Sequence, residues 1–287
     1  MVSKTIRRVF LFIPIFLISF FIIVPTVWSW VISFYSSDGD FGFFNYKIFA
    51  NYTMINISNF PSFPLGAVIH NIIWVLISLP LAILLGLVIA TFTHGLKGGV
   101  FFRWIFFSPL VIPGVVGGTL GNIIFHNKSG IVPAFFRAFG IESLDVTWYS
   151  RPQLALFSCI LIGIMGSVAY STIFYSAGVD AIPKEVTEAA KIDGASSFKI
   201  LTKIHWPMLR PITLTLSSIL LMTYFRTFDV VYVMTRGGPG EASNVLGLSL
   251  YFNAFYFLRQ NTAAAIGVVL FLVSLVTGYF IVKRMVL

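Results

Sequence analysis

Charge is scarce in this chain. Only 10% of its 287 residues are Asp, Glu, Lys or Arg, against roughly 25% in soluble globular proteins. No polar stretch is long enough to furnish the surface of a soluble domain, which argues against a soluble enzyme, a disordered scaffold and a nucleic-acid binder. Cysteine is nearly absent as well. Cys159 is the single one and lies inside an apolar run, so no intrachain disulfide can form, and no Cys/His set has metal-ligand spacing. The phosphate-cradling pattern Gly-x-x-x-x-Gly-Lys-Ser/Thr occurs nowhere, so any ATP hydrolysis belongs to another subunit. Internal repeats and low-complexity tracts are also lacking.

Apolar residues, by contrast, make up 57% of the chain, and its mean hydropathy is +0.92. Six apolar runs reach the length of about 20 helical residues that a bilayer crossing needs. They cover approximately 9–35, 65–92, 101–125, 154–177, 212–234 and 263–282. The expected fold is therefore all-α, a polytopic membrane protein with six transmembrane helices. The first run follows Lys4, Arg7 and Arg8 but is too long for a signal peptide and has no small-residue cleavage site after it, so it reads as a retained helix.

The net charge of +9 is spread beside these runs rather than gathered into one patch. Twelve of the 19 Lys and Arg residues fall on the side that carries both termini and six on the opposite side, with Arg226 inside a run. The excess places both termini in the cytoplasm. Pro14, Pro25, Pro80, Pro109 and Pro113 lie within apolar runs, where neighbouring helices can satisfy the freed carbonyls. Gly114, Gly117, Gly118 and Gly121 form two interleaved Gly-x-x-x-Gly pairs, a spacing that lets helix backbones approach closely. Organisation follows from the runs: residues 1–64 form an N-terminal helix and external loop, and 65–287 a core with a cytoplasmic loop over 178–211.

That loop is the most informative stretch. Pro183 suits a first helical turn, Lys184 to Asp193 reads as a short helix, and Gly194 stands where a left-handed residue closes one. Glu188 is spaced to pair with Lys184 and Lys191. Ser196 or Ser197 can cap a second helix through about His205, which Pro207 and Pro211 are expected to end.

The series Glu188-Ala189-Ala190-x-x-Asp193-Gly194-Ala195, followed by Ile204-x-Trp206-Pro207 and Pro211, resembles the EAA loop of permease subunits in binding-protein-dependent ATP-binding-cassette (ABC) importers. Within the loop Trp206 departs from the pattern, the family usually having leucine there; between spans three and four, near Gly121-Asn122 and Pro133, the likeness is looser. Phe228 to Gly240, Phe107-Ser108-Pro109-Leu110 with Pro113, and Asn253-Ala254-Phe255 extend the likeness to the sugar-transport branch, of the maltose and glycerol-3-phosphate type. The resemblance implies a type I importer permease fold, with the loop docked on a separate ATPase. Glu188, Ala189, Ala190, Asp193, Gly194, Ala195 and Pro207 are its ATPase-coupling residues. It also implies two permeases, this chain and a related one, with two ABC ATPase subunits and an extracytoplasmic solute-binding protein, in a prokaryotic cell membrane and in contact with its lipid. Nucleic acid has no part in it. No cofactor is expected in this chain, ATP and magnesium belonging to the ATPase.

Arg226 and Asp229 are the clear intramembrane charges. At three residues apart they can pair on one helix face, and such groups ordinarily face a cavity or a protein partner. With Tyr224, Phe228 and Tyr232 they are the candidate lining of a solute path, aromatic rings suiting sugar faces. Asn71, Asn122 and Gln153 are lesser polar candidates. An ion-coupled secondary transporter is the alternative, and it calls for intramembrane carboxylates, of which Asp229 is the only one on offer. A membrane-bound enzyme is disfavoured, because His70, His94, His126 and His205 are scattered.

Overall fold

The computed structural model describes residues 4–94 and 96–286, with the side chains of 4–9, 282 and 284–286 left undescribed. The charges of Lys4, Arg7, Arg8 and Arg284 that bear on orientation thus lie outside the described side chains. Among the described residues the chain is helical, with one isolated bridge between Tyr35 and Phe41 as its only β pairing. Fourteen α-helices follow in order: α1 Lys4–Ile18, α2 Val24–Ser33, α3 Ala67–Thr93, α4 Gly99–Phe107, α5 Gly114–Ile124, α6 Ile131–Ala138, α7 Pro152–Asp180, α8 Lys184–Ile192, α9 Ser197–Ile200, α10 Trp206–Met208, α11 Arg210–Phe225, α12 Asp229–Met234, α13 Leu246–Tyr251 and α14 Gln260–Val286.

Five helical segments without a sharp bend are long and apolar enough to cross a membrane: Phe10–Ser33, Ala67–Thr93, Pro152–Asp180, Arg210–Met234 and Gln260–Ile281. The expected third crossing is different. Gly99–Val111 and Gly114–Ile124 meet at an angle of 103°, so the run over 101–125 is a broken span rather than one helix. Proline chemistry accounts for the break. Ile112 adopts an extended conformation (ψ 115°), as a residue before proline prefers, and Pro113 then opens α5.

Proline also explains two widened turns. Ser19–Ile23 and Leu201–His205 are π-helical, and they precede Pro25 and Pro207. A helical proline collides with the carbonyl four residues back, and here that carbonyl lies inside the widened turn. The second arm of the loop therefore does not stop at Pro207 and Pro211 as the sequence suggests. Both prolines occupy first-turn positions, of α10 and α11, and the chain continues into the next span with only Leu209 as a break.

The chain divides into two compact units. One comprises residues 1–51 and 249–272. Within it Trp30 meets Phe271 edge-on, and Asn45 and Asn261 each donate a side-chain hydrogen bond to the Tyr35 carbonyl, at 2.7 and 2.8 Å. The apolar side chains of the first span, including Phe12, Phe20 and Phe21, are exposed, as suits a helix face meeting lipid or another protein.

The other unit, 52–248 with 273–287, holds the site. Its centre is the long pairing of α3 with α7. One buried cluster joins Ile83, Leu87 and Ala90 of α3 to Tyr175 and Val179 of α7, and both to Ile182, Leu201, Leu209 and Leu216. This cluster fixes the root of the cytoplasmic loop against the spans. The glycines of the third run also find their role here. A Cβ on Gly114 or Gly118 would lie 2.9 Å from Asp229 or Val233, so α5 and α12 touch backbone to side chain within this chain.

Candidate functional site

The loop is built as the sequence leads one to expect at its first arm. After Pro183, α8 carries Glu188 and Ala189 on exposed positions, with Ala190 half-buried. Asp193 and Gly194 follow, both exposed. Gly194 has φ +75°, and nothing lies within 4 Å of where a Cβ would stand. Its N–H donates to the Lys191 carbonyl at 3.0 Å and that of Ala195 to the Ala190 carbonyl at 2.9 Å. This is the Schellman arrangement, which needs a left-handed residue and so selects glycine. Ser196 then caps α9, accepting from the Lys199 N–H at 3.3 Å.

The two arms are linked by Thr187 and His205, whose Oγ1 and Nε2 are 3.4 Å apart. Burial, and after it the neighbouring His94, holds His205 below the ordinary imidazole range. Glu188 makes no ion pair with Lys184 or Lys191; the ion pairs among the described residues are His94–Asp180, Arg103–Asp180 and Arg137–Asp145. The side chains of Lys184, Glu188 and Lys191 are all exposed, where such pairs contribute little. Composition alone hides one feature of the loop: Ile192 and Phe198 are 86% and 71% exposed. Both flank the Gly194 turn, so its tip is apolar. The available signal is two large apolar residues in an otherwise polar connection.

The second feature is a cavity of about 220 Å³ beside the break in the fifth span. The break runs over Arg226–Phe228, between α11 and α12, and Phe228 has φ −146° and ψ −58°. Arg226 and Asp229 consequently do not sit on successive turns of one helix, and the expected ion pair between them is absent. Arg226 Nε instead donates to the Met222 carbonyl at 3.2 Å, closing the end of α11, and Asp229 opens α12. A carboxylate there complements the positive end of the helix dipole.

Tyr224, Arg226, Phe228 and Asp229 all line the cavity. Tyr232 does not; it stacks on Phe228 at 5.2 Å. Tyr224 is buried, with its hydroxyl donating to the Ser78 carbonyl at 3.4 Å. Residues of other helices complete the lining, among them Trp74 of α3 and Ser167 of α7. Sequence reasoning omits them because their positions depend on tertiary packing. Trp74, the only tryptophan of the run 65–92, is the one visible hint.

Of the lesser candidates, Asn71 is a bracket: its amide donates to the Tyr224 carbonyl at 3.1 Å and its oxygen accepts from the Leu246 N–H at 2.8 Å. Asn122 donates to the Val233 carbonyl at 3.3 Å.

An exposed loop helix closed by a left-handed glycine is thus rooted in packed spans that border a cavity lined by both charged and apolar side chains. Residues 48–286 match the family described as binding-protein-dependent transport system inner membrane component, and the chain belongs to it. It is thus a multi-pass membrane permease of the ABC importer class.

A probable ABC transporter permease protein of Pyrococcus horikoshii is 41% identical over 269 residues, covering 92% of each chain. The trehalose/maltose transport system permease protein of Thermococcus litoralis is 29% identical over 200 residues, covering 69% of this chain and 67% of that one. The fold matches that of a chain in the crystal structure of a bacterial ABC transporter that imports the polysaccharide alginate. The TM-score is 0.79 at 17% identity, with 98% of this chain and 95% of the other covered.

Proposed function

We propose that this chain forms half of the translocation path of an ATP-driven importer of a sugar or related polyol. It receives force through the loop at 184–195. The observation that carries the coupling role is the exposed α8, with Glu188 on its surface and an apolar tip at Ile192 and Phe198, rooted in the buried cluster of α3, α7 and α11. Glu188 and Asp193 offer polar contacts to an ATPase cleft, Ala189, Ala190 and Ala195 allow shallow packing, and Gly194 sets the turn. Pro207 fixes the direction in which the second arm re-enters the membrane.

Sugar as cargo is supported by relatives whose names include trehalose, maltose and sulfoquinovosyl glycerol. The cavity chemistry supports it too. Phe228 presents aromatic surface, while Arg226 and Asp229 provide charged donors and acceptors. The assembly is two related permeases, two ABC ATPases that hold ATP and magnesium, and an external solute-binding protein. Its place is a prokaryotic cell membrane, with both termini cytoplasmic and lipid around the exposed apolar helix faces. Closure of the ATPases moves α8, and the spans re-orient because each nucleotide state binds one arrangement better than the other.

The test is affinity purification of the tagged chain from its native membrane beside a Gly194→Asp version. An ABC ATPase that accompanies the native chain and is lost with the variant supports the reading. A native chain that emerges without an ATPase overturns it.

A further inference from the structure

The root of the loop holds a side-chain cluster that the proposed coupling contacts do not use. Asp180 is the last residue of α7, four residues before α8 begins. One of its carboxylate oxygens accepts from His94 Nδ1 at 2.9 Å, at the end of α3. The other accepts from Arg103 Nη1 at 3.2 Å, in α4. Arg103 is fixed in turn: its Nε donates to Thr93 Oγ1 at 3.2 Å, and that hydroxyl donates to the Ile89 carbonyl at 2.7 Å. The ends of α3 and α7 and the middle of α4 therefore converge on one carboxylate, four residues before α8 begins. Next to it, Thr187 and His205 join the two arms of the loop.

We infer that Asp180 is a positioning residue, a clamp on α3, α4 and α7 through which displacement of the loop reaches the spans as a single body. The inference rests on the coupling role proposed for the loop.

Asp180 acts through geometry rather than through stability. The Asp180 side chain is 52% exposed, and partly exposed ion pairs contribute little to stability. What the carboxylate does fix is direction. α8 connects to α7 through only Ala181, Ile182 and Pro183, with Ile182 buried in the cluster below. A push on α8 therefore arrives first at the last turn of α7. The buried cluster holds the inner side of that turn through Val179, and its outer side, where Asp180 projects, depends on the carboxylate's partners. Held to α3 by His94 and to α4 by Arg103, it cannot yield alone. α4 belongs to the broken third span, so the clamp also conveys loop motion to the elbow at Ile112–Pro113 and onward to α5, which touches α12 at the cavity.

The experiment uses the complex purified with its ATPase and reconstituted in liposomes, with solute uptake and ATP hydrolysis measured together. Asp180→Asn is expected to retain the ATPase in native amount and to hydrolyse ATP within about twofold of native. Uptake per ATP should fall roughly tenfold, in the range of ordinary coupling effects. Asp180→Glu should restore it, and Asp180→Asn combined with Arg103→Gln should be no worse than either alone, as for residues acting as one unit. A mainly structural role lowers uptake and hydrolysis together and is not rescued selectively. Native uptake per ATP in Asp180→Asn, additive losses in the double variant, or loss of the ATPase from the complex each overturn the clamp. Glu188→Ala, run alongside, separates the two readings. If it leaves ATPase association and uptake native, the loop reading has failed; if it abolishes them while Asp180→Asn is native, only the clamp has.

Discussion

At the scale of single residues, two glycines show how one missing Cβ can serve different ends. Gly194 has open space around it, so its requirement comes wholly from φ +75°. Gly194→Ala should cost about 1–2 kcal/mol, the penalty of placing an L side chain in the left-handed region. Gly118 has ordinary helical geometry, but a Cβ on it would lie 2.9 Å from Val233, so its requirement is steric. Gly118→Leu should destabilise by about 1–3 kcal/mol through overpacking between α5 and α12. Gly166, in the middle of α7 with nothing within 4 Å, provides the control, and Gly166→Ala should be neutral or slightly stabilising. Thermal unfolding of the three detergent-solubilised variants measures this order directly. Equal losses at all three positions would contradict the distinction between turn and contact.

At the scale of elements, the sequence was most readable where one local rule governed. The Pro183 start, the Gly194 stop and a cap at Ser196 or Ser197 follow from local hydrogen bonding, and the structure has them, with Pro183 just before α8 and Ser196 as the cap. Apolar length located the spans but not their continuity. Nothing in hydropathy separates Pro80, carried inside a straight-through α3, from Pro113, which breaks the third run by 103°. The difference lies in what packs around the freed carbonyls, a tertiary matter. The same blindness produced the expected Arg226–Asp229 pair, since three-residue spacing implies contact only if the helix is unbroken between them.

One pH effect belongs to the loop element. His205 is 3% exposed, and its pKa lies below the ordinary imidazole value because burial and His94 disfavour its charged form. The unfolded chain thus binds a proton more readily than the folded one, so stability falls as pH drops below about 6.5. The unfolding midpoint should decline between about pH 7.5 and 5.5, and His205→Gln should flatten that decline. An unchanged pH slope in the variant would show that another group is responsible.

At the scale of the whole molecule, charge and exposed apolar surface point to how the chain sits in its membrane. The proposed orientation, drawn from twelve basic residues against six, puts the apolar loop tip at Ile192 inside the cell and α6 outside. Cys159 is fully buried, so the native chain offers a silent background for thiol labelling. Ile192→Cys should react with a membrane-impermeant maleimide only in inside-out vesicles, and Phe139→Cys only in right-side-out ones. The reverse pattern would invert the topology.

The coupling proposed for this permease is that sugar moves when ATP hydrolysis in a partner acts on the loop. Its most direct measurement is sugar uptake by liposomes containing the whole complex and its solute-binding protein, with ATP supplied on the side to which α8 projects. The expected result is uptake that requires ATP, ignores proton and sodium gradients, and falls roughly tenfold in Glu188→Ala. Uptake that follows an ion gradient without ATP, or that is indifferent to Glu188, would contradict it.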